Sequence, residues 1–127
     1  MPTFQEYLDS VKDPKQHQQL RIQLISDIEG VSGRKLIVYA ADFTKGHAPN
    51  GIDISDKAGF ADLIEGIAGS PLDVLVHSPG GSAEATEQIV YMLRSDFDDI
   101  RFVVPHSAMS AATLMCLSGN AILMDQR

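Results

Sequence analysis

"HSPGGSAEA", His77 to Ala85, is where the fold becomes legible. The apolar run "LDVLV" (Leu72–Val76) stops at it, and Ala85, Ile89, Leu93 and Phe97 then recur at every fourth position. The first pattern predicts a buried strand and the second an amphipathic helix. Between them stand a serine, a proline and two adjacent glycines. Glycine tolerates positive φ and lets the backbone approach a neighbour or a ligand closely. In parallel α/β sheets, ligands bind at the carboxyl ends of strands, and this turn lies at such an end.

Working outward, "IRFVVP" (Ile100–Pro105) predicts a further strand. "SAATLMCLS" (Ser110–Ser118) has almost no polar side and predicts a buried helix, closed by Gly119 and Asn120. "AILMD" (Ala121–Asp125) predicts a last short strand. Upstream, "KLIVYAA" (Lys35–Ala41) is a continuous β-rich run, the pattern of a strand covered on both faces. The Gly-, Pro-, Asn- and His-rich "DFTKGHAPNGIDIS" (Asp42–Ser55) predicts a long loop. Phe60, Leu63, Ile64 and Ile67 mark a helix face after it. At the N-terminus, Thr3 and Glu6 form a capping-box pattern. Asp13-Pro14 then starts a second helix, striped by Leu20, Leu24 and Ile28 and ended by Gly30 and Gly33. The order β-α-β-α-β-α-β after a helical N-terminus predicts an α/β fold with a mainly parallel sheet. Residues 1–33 are expected to form an N-terminal helical segment, and residues 34–127 the α/β domain, incomplete at its C-terminal end.

Composition narrows the function. Residues 1–40 carry five basic and five acidic side chains, so the whole net charge of −7 lies beyond them. An acidic domain is a poor partner for nucleic acid, which requires clustered Lys and Arg. No apolar run reaches the length of a membrane span, and the N-terminus has no secretory signal core. A single cysteine, Cys116, cannot form an internal disulfide, which fits a reducing, cytoplasmic setting. Neither the four histidines nor Cys116 has metal-ligand spacing, "DFDD" (Asp96–Asp99) reads as a solvated acidic turn, and nothing indicates a cofactor.

Two turns carry chemistry. At "SPGG", successive amides can point at one oxygen, and the dipole of the helix starting near Ser82 adds positive potential there. Fixed N–H donors aimed where negative charge develops form an oxyanion hole. In "PHSAMSAATL" (Pro105–Leu114), Ser110 stands at the next strand-to-helix turn, with Ala108, Ala111 and Ala112 leaving room beside it. Taken singly, the first turn also reads as a left-handed glycine turn and the second as an N-cap serine. As a pair they lie one β-α-β unit apart, and adjacent parallel strand ends bring them together. His77 and His106 flank the two turns, and Lys45 and His47 lie in the long loop. Cys116, inside the buried helix, reads as a packed thiol.

These two segments, "HSPGGSAEATEQIV" and "VVPHSAMSAATLMCLSGNAILMD", resemble the Clp-protease/crotonase superfamily, related to signal peptide peptidase A. Within it they are most similar to the serine dehydrogenase proteinase family. "GIDISD" (Gly51–Asp56) adds to the likeness, which covers roughly residues 34–125. The resemblance implies a Clp/crotonase-like fold and a serine peptidase acting on peptide or protein substrates as a homo-oligomer. On its motif Ser110 is the nucleophile, the amides of Ala111 and of Gly80 or Gly81 hold the oxyanion, and His77 and His106 support the site from behind. A substrate strand is implied to pair near Gly81 and Ser82. Neither His nor Lys follows Ser110, so the general base is expected downstream of residue 127, the chain being an N-terminal part or a truncated member. A crotonase-type acyl-thioester enzyme and a non-catalytic assembly module are the alternatives.

Overall fold

The computed structural model of the chain describes residues 2–42 and 50–126. The chain divides into two units, residues 1–33 and 34–127. In the first, α1 (Phe4–Ser10) begins at a complete capping box: the Glu6 amide donates to Thr3 Oγ1, and the Thr3 amide to the Glu6 carboxylate. Asp13 caps α2 (Pro14–Ser32), and Gly33 ends it at φ +69°. Gly30 does not break this helix; it lies inside the last turns, and only Gly33 takes the left-handed conformation.

Among its described residues the second unit contains four parallel strands in sequential order: β1 (Lys35–Ala40), β2 (Leu72–His77), β3 (Ile100–Val104) and β4 (Ala121–Met124). The crossovers contain α3 (Asp56–Ile64), α4 (Ala83–Asp96) and α5 (Ala111–Leu117), and α4 packs against both other helices. Sequential order with right-handed crossovers places these three crossover helices on the same face of the sheet. Ile37, Val74 and Phe102 are aligned across three strands, and all are buried. Ile89, Leu93 and Phe97 of the α4 stripe join this core, at no more than 1% exposure.

One-sidedness corrects two expectations. β1 is an edge strand covered on both faces only at its start: Leu36 and Ile37 are buried, but Val38, on the face of Leu36, is 40% exposed. α5 buries Ala111, Ala112, Met115 and Cys116, but Leu114 and Leu117 are exposed. An unbroken apolar run specifies burial only when a second layer exists to cover its other side.

The sheet also holds a charged cluster of which the sequence shows no sign. Asp73, 2% exposed, accepts Arg34 Nε at 2.6 Å and both Arg101 Nε and Nη2, at 2.9 and 2.7 Å. Arg34 also grips Asp99, through Nη1 at 2.8 Å and Nη2 at 3.0 Å. "DFDD" is therefore more than a solvated turn: Arg34 holds the Asp99 carboxyl below its ordinary range. The cluster ties the starts of β1, β2 and β3 together, at the sheet end opposite the two turns.

Two outcomes follow. Asp73→Ala leaves two guanidinium groups without their buried counter-ion and is expected to lower stability by about 2–4 kcal/mol in urea unfolding. A carboxyl depressed in the folded state contributes stability that is present above its unfolded pKa and lost as pH falls through the folded one. Asp99→Asn is therefore expected to reduce stability at neutral pH and to flatten its decline below about pH 4, read as the urea midpoint against pH.

Candidate active site

The ends of β2 and β3 each feed a turn, and main-chain hydrogen bonds join the two turns. Ser78 N–H donates to the Ser107 carbonyl at 3.0 Å, and Met109 N–H donates to the Ser78 carbonyl at 3.0 Å, an isolated parallel bridge between Ser78 and Ala108. The bridge extends the β2–β3 pairing beyond both strands and fixes the chain just before Ser110. The double-glycine turn is pressed against the serine: a Cβ on Gly80 would fall 2.7 Å from Ser110 Cβ and 2.6 Å from the Met109 carbonyl oxygen. Gly80 has φ +100°, so the position needs glycine for both conformation and space.

The other side of the turn is held by "GIDISD". Ile52 N–H donates to the Gly80 carbonyl at 2.9 Å, and Ser82 N–H to the Ile52 carbonyl at 2.8 Å. A Cβ on Gly81 would lie 2.2 Å from Ile52 N. This segment is itself anchored. Tyr39 Oη donates to Asp56 at 2.7 Å, and the Asp53 amide donates to the same carboxylate oxygen at 3.0 Å. Burial first, and then the Asp56 carboxylate, push the Tyr39 hydroxyl well up, so it remains a donor. Sequence reasoning missed Tyr39 and Asp56 as the anchor of a glycine turn, because "GIDIS" reads only as loop. Lys45 and His47 lie outside the described residues.

Ser110 is exposed, at the head of α5, with φ 54° and ψ −125°. It is the one non-glycine residue with positive φ among the described residues. Such a conformation costs on the order of 1–3 kcal/mol and persists only where the surroundings enforce it. Its side chain makes no N-cap hydrogen bond, so capping does not explain the serine.

Backbone donors at the two turns are not equivalent. Gly80 N–H donates to Ser78 Oγ at 3.1 Å. Gly81 N–H and Ala111 N–H have no acceptor among the described residues. Ile52 bonds to the Gly80 carbonyl and the Ser82 amide, on either side of Gly81, so the N–H of Gly81 itself points away from that segment. Ser82 caps α4 through the Ala85 amide at 3.1 Å.

His77 and His106 form a tilted ring pair with centroids 5.5 Å apart. His106 also lines a cleft of about 260 Å³ with Ala108, Thr113, Cys116, Ile122 and Met124. Burial pushes the Cys116 thiol up, away from nucleophilic character. No group of His, Cys, Asp and Glu among the described residues is arranged to hold a metal, and no helix there is long and apolar enough to cross a membrane.

The strain at Ser110 is measurable. Ser110→Gly is expected to raise stability by about 1 kcal/mol in urea unfolding, because glycine adopts this backbone without penalty, and Ser110→Ala to leave it within about 0.5 kcal/mol. Gly80→Ala and Gly81→Ala are each expected to lower stability by more than about 1 kcal/mol in the same assay.

Comparison with known proteins gives these features a family. Two uncharacterized proteins of Methanocaldococcus jannaschii are 41% and 39% identical to the chain over 56 residues, 44% of the chain and 20% and 19% of their own lengths. The ATP-dependent Clp protease proteolytic subunit 2 of Pseudomonas aeruginosa is 29% identical over 99 residues, 76% of the chain and 46% of that protein. The chain thus spans between about a fifth and about half the length of these relatives. No solved structure matches it. The family described as ClpP-like SDH-type serine proteinase matches residues 52–127, which include both turns and Ile52, the clamp on the glycine turn, and the chain belongs to that family.

Proposed function

We propose that the chain carries the nucleophile and the oxyanion donors of a serine peptidase. The observation that carries this reading is the pairing of an exposed, backbone-strained Ser110 with the Gly80 turn packed against it. A serine with no capping role is held in a costly conformation, and Gly81 N–H and Ala111 N–H have no acceptor among the described residues. In this reading Ser110 Oγ attacks the scissile carbonyl carbon and gives its proton to a general base. The carbonyl oxygen, now anionic, takes hydrogen bonds from Gly81 N–H and Ala111 N–H. The C–N bond then breaks, the amine leaves with a proton, and water hydrolyses the acyl-enzyme.

Of the two glycines, Gly81 is the better donor, since Gly80 N–H is already engaged by Ser78 Oγ. A substrate strand pairs with the edge of Gly81 turned away from Ile52. In this reading His77 and His106 act behind the turns rather than as the general base. We further propose a cytoplasmic homo-oligomer. The exposed Leu114, Leu117, Leu123 and Met124 suit an apolar subunit contact. The acyl-thioester alternative gives no reason for a hydroxyl in a strained turn.

A fluorophosphonate probe tests the reading. Covalent labelling of the full-length protein at Ser110, abolished by Ser110→Ala with the fold intact by circular dichroism, is the expected result. Full-length protein that stays unlabelled, or that labels equally in the Ser110→Ala variant, overturns it.

A further inference from the structure

Ser78 is polar yet 0% exposed. A hydroxyl buried that completely needs a partner. It finds one in the backbone two residues on, where Gly80 N–H donates to Ser78 Oγ at 3.1 Å. Ser78 thus serves both turns at once. Its N–H and C=O go to Ser107 and Met109 of the serine turn, and its side chain goes to the glycine turn. A serine hydroxyl that folds forward onto an amide two residues later stabilises a local turn. Pro79, between them, has its φ fixed by its ring.

We propose that Ser78 is a positioning residue that decides which glycine amide faces the reacting oxygen. By occupying Gly80 N–H, its hydroxyl holds the Gly80 peptide at φ +100° and leaves Gly81 N–H as the single glycine donor. Two competing amides become one oriented amide, which is the preorganisation an oxyanion hole depends on. Ser78 acts through Gly80 and not on the substrate. The functional half of this inference rests on the peptidase reading; the structural half rests on the Ser78–Gly80 hydrogen bond alone.

Amide hydrogen exchange on 15N-labelled protein, together with the rate of Ser110 phosphonylation, separates the two halves. In the wild type, Gly80 N–H is expected to be protected and Gly81 N–H to exchange faster. Ser78→Ala removes the acceptor, and Ser78→Cys fills the space with a poor one, so one variant serves if the other fails to fold. Both are expected to speed Gly80 exchange about tenfold or more, with the Val74 and Phe102 amides unchanged as controls for the sheet. Phosphonylation is expected to slow about tenfold in both, and Ser78→Thr, which keeps the hydroxyl, to restore most of the rate. A Gly80 amide that exchanges as fast as Gly81 in the wild type, or that neither variant alters, overturns the proposal. So does faster Gly80 exchange with an unchanged phosphonylation rate, which makes Ser78 a structural residue only. Wild-type protein that never labels, but whose Gly80 protection depends on Ser78, overturns the peptidase reading and the functional half with it, and leaves the structural half standing.

Discussion

The backbone of Ser78 is bonded on both sides to the turn that carries Ser110, donating to Ser107 and accepting from Met109. That bridge is the constraint on which this end of the molecule depends. Parallel strands bring two turns near one another but do not fix their separation closely. Two main-chain hydrogen bonds beyond the strand ends do so. They press Gly80 so close to Ser110 that no side chain fits between them. The strained Ser110 backbone is then a consequence: the chain has to leave the bridge at Met109 and enter α5 at Ala111 within a single residue.

Rigidity at this junction has a support on each side. Ile52 clamps the outer edge of the glycine turn, and Tyr39 with Asp56 fixes the segment to which Ile52 belongs. At the other end of the sheet, Asp73 between Arg34 and Arg101 holds the starts of three strands. The two ends answer different needs. The Asp73 cluster is closed, with its carboxylate oxygens engaged by guanidinium groups. The turn end leaves the Gly81 and Ala111 amides without an acceptor among the described residues, and the proposed peptidase function assigns them to the oxyanion.

Much of this arrangement is legible in sequence, for identifiable reasons. The alternation of strand and helix patterns yields the order of elements, since each is set by local periodicity. "SPGG" and "HSAMS" stand out only as a pair one β-α-β unit apart, since each alone also reads as an ordinary glycine turn or N-cap. Contacts between distant residues leave no such mark. Asp73 lies 39 positions from Arg34 and 28 from Arg101, and a lone aspartate in an apolar strand does not name its partners. Exposure of Val38 in β1 and of Leu114 in α5 is equally hidden, because periodicity reports the apolar face of an element and not whether another layer covers it. Which glycine amide is already engaged depends on the rotamer of Ser78, and a sequence does not carry rotamers.

The most direct test of the account is a crystal structure of the full-length protein after reaction with a phosphonate. The account predicts phosphorus bonded to Ser110 Oγ, with one phosphoryl oxygen about 2.7–3.1 Å from both Gly81 N and Ala111 N while Gly80 N–H stays on Ser78 Oγ. A phosphoryl oxygen turned to solvent, or held by the Gly80 amide instead, would contradict it.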